Sequence, residues 1–115
     1  MTYFESDQPR YSYAEVNDEF VIRTAEKVVI STHALIGAYF FSSASMLIAT
    51  MREILAQPLK ISGQEYTLST VYNQLIGRFG RVTASSAIEY HSFGTPEELR
   101  NYELWKGLQY EKQKS

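Results

Sequence analysis

Residues 28–51, VVISTHALIGAYFFSSASMLIATM, form the longest stretch of the chain without an Asp, Glu, Lys or Arg, and they decide the predicted fold. Ser31 or Thr32 can cap a helix at the start of this region, and Pro58 ends it. We therefore predict one long helix over residues 34–57. Because it is apolar on nearly every side, it must be covered all round.

The length of this uncharged stretch raises the question of a membrane span, since about 20 apolar residues cross a bilayer. It contains seven Ser, Thr or His residues, and its first part has the β-branched composition of a strand end. These features favour a buried helix in a protein without a membrane span. Met1 is followed by polar residues, so no secretory signal is expected, and we expect a cytoplasmic protein.

Five small side chains of the predicted helix recur at intervals of 4, 3, 4 and 7 residues. At these intervals they share one side of a helix, where a second helix can approach closely. We predict that a partner subunit covers this side, with two-fold pairing as the default, although a helix fully buried within one chain is the alternative. The predicted oligomer interface comprises Ala38, Ser42, Ser45, Ala49 and Ala56.

The remaining segments predict a single α+β domain over residues 1–115, the usual size for one domain. Residues 1–18 read as an extended arm, and residues 20–30, 59–67 and 81–92 as strands or hairpins of a small antiparallel sheet packed against the long central helix. A shorter middle helix is expected over residues 68–76. A C-terminal helix should begin after Thr95, with Pro96 at its first position and Glu98 closing a capping box with Thr95.

Composition excludes several classes of protein. The 115 residues include no cysteine, which rules out disulfides, thiolate metal sites and a cysteine nucleophile. The net charge of −2 offers no general attraction to nucleic acid, so a nucleic-acid partner is not expected. Nine tyrosines and six phenylalanines favour an aromatic core and aromatic interfaces.

The candidate ligand site is the sequence Gly77-Arg78-Phe79-Gly80-Arg81. Its glycines allow the backbone to approach a ligand, its guanidinium groups can each bind a phosphate or carboxylate, and its phenylalanine can stack on a ring. We predict a pocket for a nucleotide-like phosphorylated small molecule, with Arg23 or Arg100 added from a neighbouring subunit. The alternative is structural: Gly77 caps a helix, the arginines offset its negative end and Phe79 enters the core.

The two histidines, His33 and His91, offer little chemistry. His91 follows Glu89 by two residues, so the two side chains can pair on one face of a strand. Neither histidine has an evident nucleophile or a cluster of further ligands beside it. The sequence therefore predicts no catalytic residue, no metal and no cofactor, and hence no enzyme.

We accordingly predict a non-enzymatic oligomeric binding protein of the kind found among phage and mobile-element accessory factors, which would sequester a phosphorylated small molecule. One alternative is an inhibitor or immunity factor that binds a protein partner through its tyrosines. A second is a helix-turn-helix DNA-binding protein, with residues 68–77 as first helix and 83–91 as recognition helix. The alternating pattern of residues 81–90 argues against the second.

Overall fold

The computed structural model describes residues 1–58 and 65–115, apart from the side chain of Phe79. The predicted hairpin at 59–67 falls largely outside the described residues, and 65–67 have no regular structure. The elements in chain order are β1 (Thr2–Glu5), β2 (Ser12–Asn17), β3 (Phe20–Glu26), β4 (His33–Leu35), α1 (Ala44–Ala56), α2 (Leu68–Phe79), β5 (Ser85–Ser86) and α3 (Pro96–Lys114).

The strands form one curled, mixed sheet in the order β3-β2-β4-β1-β5. Every neighbouring pair is antiparallel except β1 and β5, which run parallel. The two ends of the sheet approach each other, because Phe20 bridges Thr83 and the Val21 amide donates to the Val82 carbonyl at 2.8 Å. The sheet is therefore a half-barrel, and the predicted small antiparallel sheet is wrong.

The predicted long central helix is also wrong, because α1 has only 13 residues. Residues 33–35 form β4 in the middle of the sheet, where Ala34 and Leu35 are buried. Gly37 then adopts a φ of 83°, which no helix accommodates, and the Ser43 side chain caps α1 by accepting from the Met46 amide. The uncharged stretch thus joins a buried strand, a loop and a helix.

The first 18 residues form β1 and β2 instead of an extended arm. Tyr13 and Ala14 are completely buried, and Ala14 belongs to the main core. Asp18, with a φ of 55°, makes the turn that leads β2 into β3. Because residues 1–18 contain many polar side chains and no apolar run, their composition did not predict these two strands.

Helix α2 covers the inner face of the sheet through β3. The side-chain amide of Asn73 accepts from the Thr24 backbone amide at 2.7 Å and donates to the Thr24 carbonyl at 2.8 Å. The Thr24 hydroxyl donates to the Ser69 carbonyl. These bonds fix the helix on the strand, above a core that consists of Ala14, Val21, Leu35, Val71, Tyr72, Leu75 and Val82.

Helix α3 begins as predicted, with Thr95 as cap, Pro96 in the first turn and a complete capping box to Glu98. No residue of this 19-residue helix is buried. The radius of gyration of the chain is 17.0 Å, against about 13 Å for a compact domain of this size. Helix α3 therefore extends away from the body. None of the described helices is long and apolar enough to cross a membrane.

The region predicted as a strand over 81–92 contains only the short strand β5 and the bridge at Thr83. No described residue of this region is helical, so the recognition helix required by a helix-turn-helix protein is absent from it. Strand pairing in this region is therefore limited to Thr83, Ser85 and Ser86, and the predicted strand over 81–92 is wrong in its extent.

Candidate functional site

Helix α2 leads directly into the candidate ligand loop. The helix continues through Gly77 and ends at Gly80, which has a φ of 67° and donates its amide to the Ile76 carbonyl at 3.0 Å. Gly80, and not Gly77, is therefore the glycine that ends the helix. This left-handed cap turns the chain so that Arg81 follows at the edge of a cleft.

The Arg81 cleft, as we name it, has a volume of about 240 Å³ and lies between the end of the sheet, the segment before α1 and helix α2. Val82 and Thr83 place the edge of the sheet at this cleft, because they pair with the start of β3. The cleft is lined by Met1, Phe40, Phe41, Ser42, Met46, Tyr72, Leu75, Arg81, Val82 and Thr83.

Aromatic rings form one side of the Arg81 cleft. Phe41 and Tyr72 are stacked with centroids 4.8 Å apart. The Tyr72 hydroxyl donates to the Phe40 carbonyl at 2.8 Å and so fixes the backbone of this segment. Burial, reinforced by the neighbouring Tyr39, raises the pKa of Tyr72 to about 12, so the hydroxyl remains a donor at neutral pH. Phe40 itself is 78% exposed at the cleft.

Arg81 is the only one of the predicted arginines that lines this cleft. Within the described part of the chain it forms no ion pair with a carboxylate. Arg78 instead pairs with Glu53 of α1 at 2.6 Å, and Arg23 pairs with Glu15 across the β2–β3 hairpin. Arg100 lies on exposed α3. Of the four predicted arginines, Arg81 is thus the one that lines the Arg81 cleft, and no Asp or Glu is among the described residues that line it.

The five residues of the predicted oligomer interface do not all lie on one helix, although all five are exposed. Ala38 and Ser42 precede α1, whereas Ser45, Ala49 and Ala56 lie on it. Ser42 instead lines the Arg81 cleft. The five residues therefore do not share one helix face.

A second cleft, the aromatic cleft, has a volume of about 300 Å³ and lies between the first half of α3, strand β1, the loop that leads from β1 to β2, and residues 90–92. Its polar groups are mostly bonded to one another. Arg10 pairs with Glu98 at 2.5 Å, and Glu98 also accepts from Ser92 and from the Thr95 amide, both at 2.9 Å. The predicted pair of Glu89 and His91 is confirmed at 2.5 Å.

Rings and charges in the aromatic cleft hold α3 to the body. The His91 ring lies 4.7 Å from Tyr102 and 4.6 Å from Trp105, centroid to centroid. Burial alone would raise the pKa of Glu98, but the hydrogen bonds from Ser92 and Thr95 and the charge of Arg10 lower it below its ordinary value. Because these groups satisfy each other, the aromatic cleft is better explained as packing than as a ligand site.

Sequence reasoning missed Phe40, Phe41 and Tyr72 as members of a site. The predicted long helix placed Phe40 and Phe41 on two different faces of the helix, although Gly37 and the Ser42-Ser43 pair indicate a break before α1. No group of three His, Cys, Asp or Glu residues suited to a metal occurs in the described ranges.

The comparisons with known proteins give one solved structure of similar fold. It is the crystal structure of a nucleoside-diphosphate-sugar pyrophosphorylase from Vibrio cholerae RC9, with a TM-score of 0.76 and 26% sequence identity. The match covers 89% of this chain but 44% of that one, so the chain spans less than half the length of the protein it resembles. No protein-family model and no curated protein sequence matches the chain.

This similarity contradicts the predicted non-enzymatic binding protein and the predicted absence of enzymatic activity, since the related fold belongs to an enzyme. The same similarity contradicts the two alternatives, an inhibitor or immunity factor and a helix-turn-helix DNA-binding protein. The similarity is compatible with the predicted nucleotide-like, phosphorylated small molecule.

Proposed function

We propose that this chain belongs to an enzyme that acts on nucleoside-diphosphate sugars, and that the Arg81 cleft holds part of that substrate. The observation that carries the proposal is the presence, in one cleft, of an arginine without a carboxylate partner among the described residues and of an exposed phenylalanine ring. The similarity to a nucleoside-diphosphate-sugar pyrophosphorylase supports the choice of substrate class.

The charge of the cleft suits a phosphorylated ligand. A guanidinium binds phosphate oxygens through two parallel hydrogen bonds, and it does so most strongly when no carboxylate competes for the same donors. The lining residues that the structure describes include no Asp or Glu beside Arg81. The hydroxyl-bearing side chains of Ser42 and Thr83 lie in the same lining and add neutral hydrogen-bonding groups.

The exposed ring of Phe40 suits a nucleobase. Stacking of a base on an aromatic side chain contributes about 1–3 kcal/mol per base. Covering an aromatic ring that is 78% exposed lowers the free energy, because apolar surface is removed from water. A nucleobase can cover the ring by stacking, which requires no specific hydrogen bonds. We therefore place the base over Phe40 and the phosphates beside Arg81.

The size of the cleft limits how much of the substrate it holds. Pockets for small molecules usually measure about 300–1,000 Å³, and the Arg81 cleft, at about 240 Å³, is slightly smaller. We therefore propose that it holds the nucleoside and phosphate part of a nucleotide sugar and that the sugar extends beyond it.

The chemistry expected here is binding and charge neutralisation. Enzymatic transfer of phosphoryl groups depends chiefly on positioning and on neutralising charge at the phosphate oxygens. Arg81 can supply both. No imidazole or carboxylate is present among the described lining residues, so proton transfer is not assigned to any of them.

The proposal is tested in two steps with the purified chain. Thermal shift measurements against nucleoside-diphosphate sugars, nucleoside diphosphates and sugar 1-phosphates first identify the ligand class, because a ligand that binds only the folded state raises the melting temperature. The chain is then incubated with pyrophosphate and the nucleotide sugar that gave the largest shift. Anion-exchange chromatography measures the formation of nucleoside triphosphate and sugar 1-phosphate.

We expect nucleoside-diphosphate sugars to give the largest shift and turnover to depend on Arg81. A shift without turnover would contradict the enzymatic part of the proposal and leave the ligand class standing. No shift with any nucleotide at millimolar concentration would contradict both parts.

A further inference from the structure

Helix α3 carries an exposed groove that nothing in the described chain covers. Leu104 is 69% exposed and Leu108 is 59% exposed, which is unfavourable for two large apolar side chains on one helix. The groove beside them is a shallow one, bordered by residues of α3 alone. It is lined by Arg100, Glu103, Leu104, Gly107, Leu108 and Glu111.

This groove faces away from the body of the protein. Tyr102 and Trp105 hold α3 to the body, through contacts of Tyr102 with His91 and Phe93 and of Trp105 with His91. At 100° per residue, Arg100, Leu104 and Glu111 lie about 160–200° around the helix axis from Tyr102. The groove is therefore available to a second molecule without moving α3.

The groove is complementary to itself when a second α3 runs antiparallel to the first. With the two-fold axis midway between positions 105 and 106, Arg100 lies opposite Glu111 of the second copy and Leu104 lies opposite its Gly107. Glu103 lies opposite Leu108, whose side chain can pack against the methylene groups of the glutamate. The same arrangement sets Glu97 against Lys114, so both outer pairs join opposite charges. In a two-fold dimer of this kind, each of these contacts occurs twice.

Within the part of the chain that the structure describes, no contact requires a glycine at position 107. Glycine is one of the least favourable residues in the interior of a helix, and a side chain added at Gly107 would meet no atom within 4 Å. Between two helices, however, the missing side chain lets a leucine of the other helix pack against the backbone. Its place opposite Leu104 fits that use.

We infer that α3 is a self-association surface, through which two copies of this chain pair antiparallel about Leu104 and Gly107, with Arg100 and Glu111 joined across the interface. A pair of single helices buries less than the ~1,200 Å² of a standard interface, so the dimer dissociates on dilution. The inference is independent of the ligand bound in the Arg81 cleft.

Sedimentation velocity of the full chain over a range of concentrations tests this inference. We expect a reversible change between 13.2 kDa and twice that mass. Arg100→Glu alone and Glu111→Arg alone each set like charges opposite each other twice, and each should raise the dissociation constant about tenfold. The double variant restores opposite charges and should return the dissociation constant to near that of the unchanged chain.

The charge exchange is diagnostic because residues 100 and 111 of one helix are about 16 Å apart along its axis and cannot pair within a chain. Circular dichroism checks that each variant keeps its helices. Ala49→Lys, on the exposed side of α1, serves as the control and should leave the dissociation constant unchanged.

A chain that stays monomeric at all concentrations would overturn the inference. So would a dimer whose affinity is indifferent to both single charge changes, or one that the double variant fails to restore. A dimer broken by Ala49→Lys alone would assign self-association to α1 instead.

Discussion

Arg81 and the exposed ring of Phe40 line the same cleft, although one follows α2 and the other precedes α1. The curl of the sheet explains their proximity. Residues 82 and 83 pair with the start of β3, and Tyr72 bonds to the carbonyl of Phe40, so both segments are fixed against α2. The Arg81 guanidinium and the Phe40 ring therefore lie in the same cleft, and the proposed nucleotide site is based on this arrangement.

Replacement of Phe40 tests the proposed stacking. Phe40→Ala removes a ring that is mostly exposed, so the free energy of unfolding should change by less than about 0.5 kcal/mol. Binding of a nucleoside diphosphate should weaken by about 1–3 kcal/mol because the base loses its stacking partner. Isothermal titration calorimetry measures the second effect.

Ile88→Ala is the matched control for Phe40→Ala, since Ile88 is a fully exposed apolar residue outside the cleft. It should leave both stability and binding unchanged. Equal affinities for the Phe40 variant and the unchanged chain would remove Phe40 from the site.

Replacement of Asn73 tests the attachment of α2 to β3. Asn73→Ala removes both hydrogen bonds to the backbone of buried Thr24, and we expect a loss of about 2 kcal/mol in the free energy of unfolding. Urea denaturation followed by circular dichroism measures it. The exposed Asn101 of α3 is the control, and a loss no larger than that of Asn101→Ala would show that the bonds contribute little.

The two glycines of α2 should respond to alanine with opposite signs. Gly80→Ala places a side chain at a φ of 67° and should destabilise the protein by about 1 kcal/mol. Gly77→Ala improves the helix interior, where the added methyl group meets no atom within 4 Å, and should stabilise the protein by about 1 kcal/mol. Thermal unfolding compares the two, and effects of the same sign would contradict the assignment of the helix end.

Glu98 should make stability depend on acid pH. Its pKa is lowered in the folded state, so its contribution is present above the ordinary value of 4.5 and is lost as the pH falls through the lower folded value. Glu98→Gln should therefore flatten the fall in melting temperature at acid pH. Glu97→Gln, an exposed neighbour in the same first turn, should leave the slope unaltered, and identical slopes for the two variants would refute this role.

The sequence predicted best those features that are set by a few adjacent residues. Thr95, Pro96 and Glu98 defined the start of α3, because a capping box depends only on neighbouring positions. The start of α2 at Leu68 was likewise correct.

The long helix failed because an uncharged stretch is equally typical of a buried strand, and β4 lies in the middle of the sheet. Phe40 and Phe41 were assigned to that helix and so were missed as part of the site. Arg81 was identified from its own loop, but its position in the cleft depends on the pairing of residues 82 and 83 with β3, which no local pattern indicates.

The measurement that tests the proposed site most directly is calorimetric titration of a nucleoside-diphosphate sugar into the unchanged chain, Arg81→Ala and Arg78→Ala. Arg78 is the matched control, because it lies three residues away and already pairs with Glu53. We predict that Arg81→Ala weakens binding at least about tenfold, as expected for a lost charge-assisted contact with phosphate, and that Arg78→Ala leaves it unchanged. Equal binding by all three proteins would contradict the proposed site.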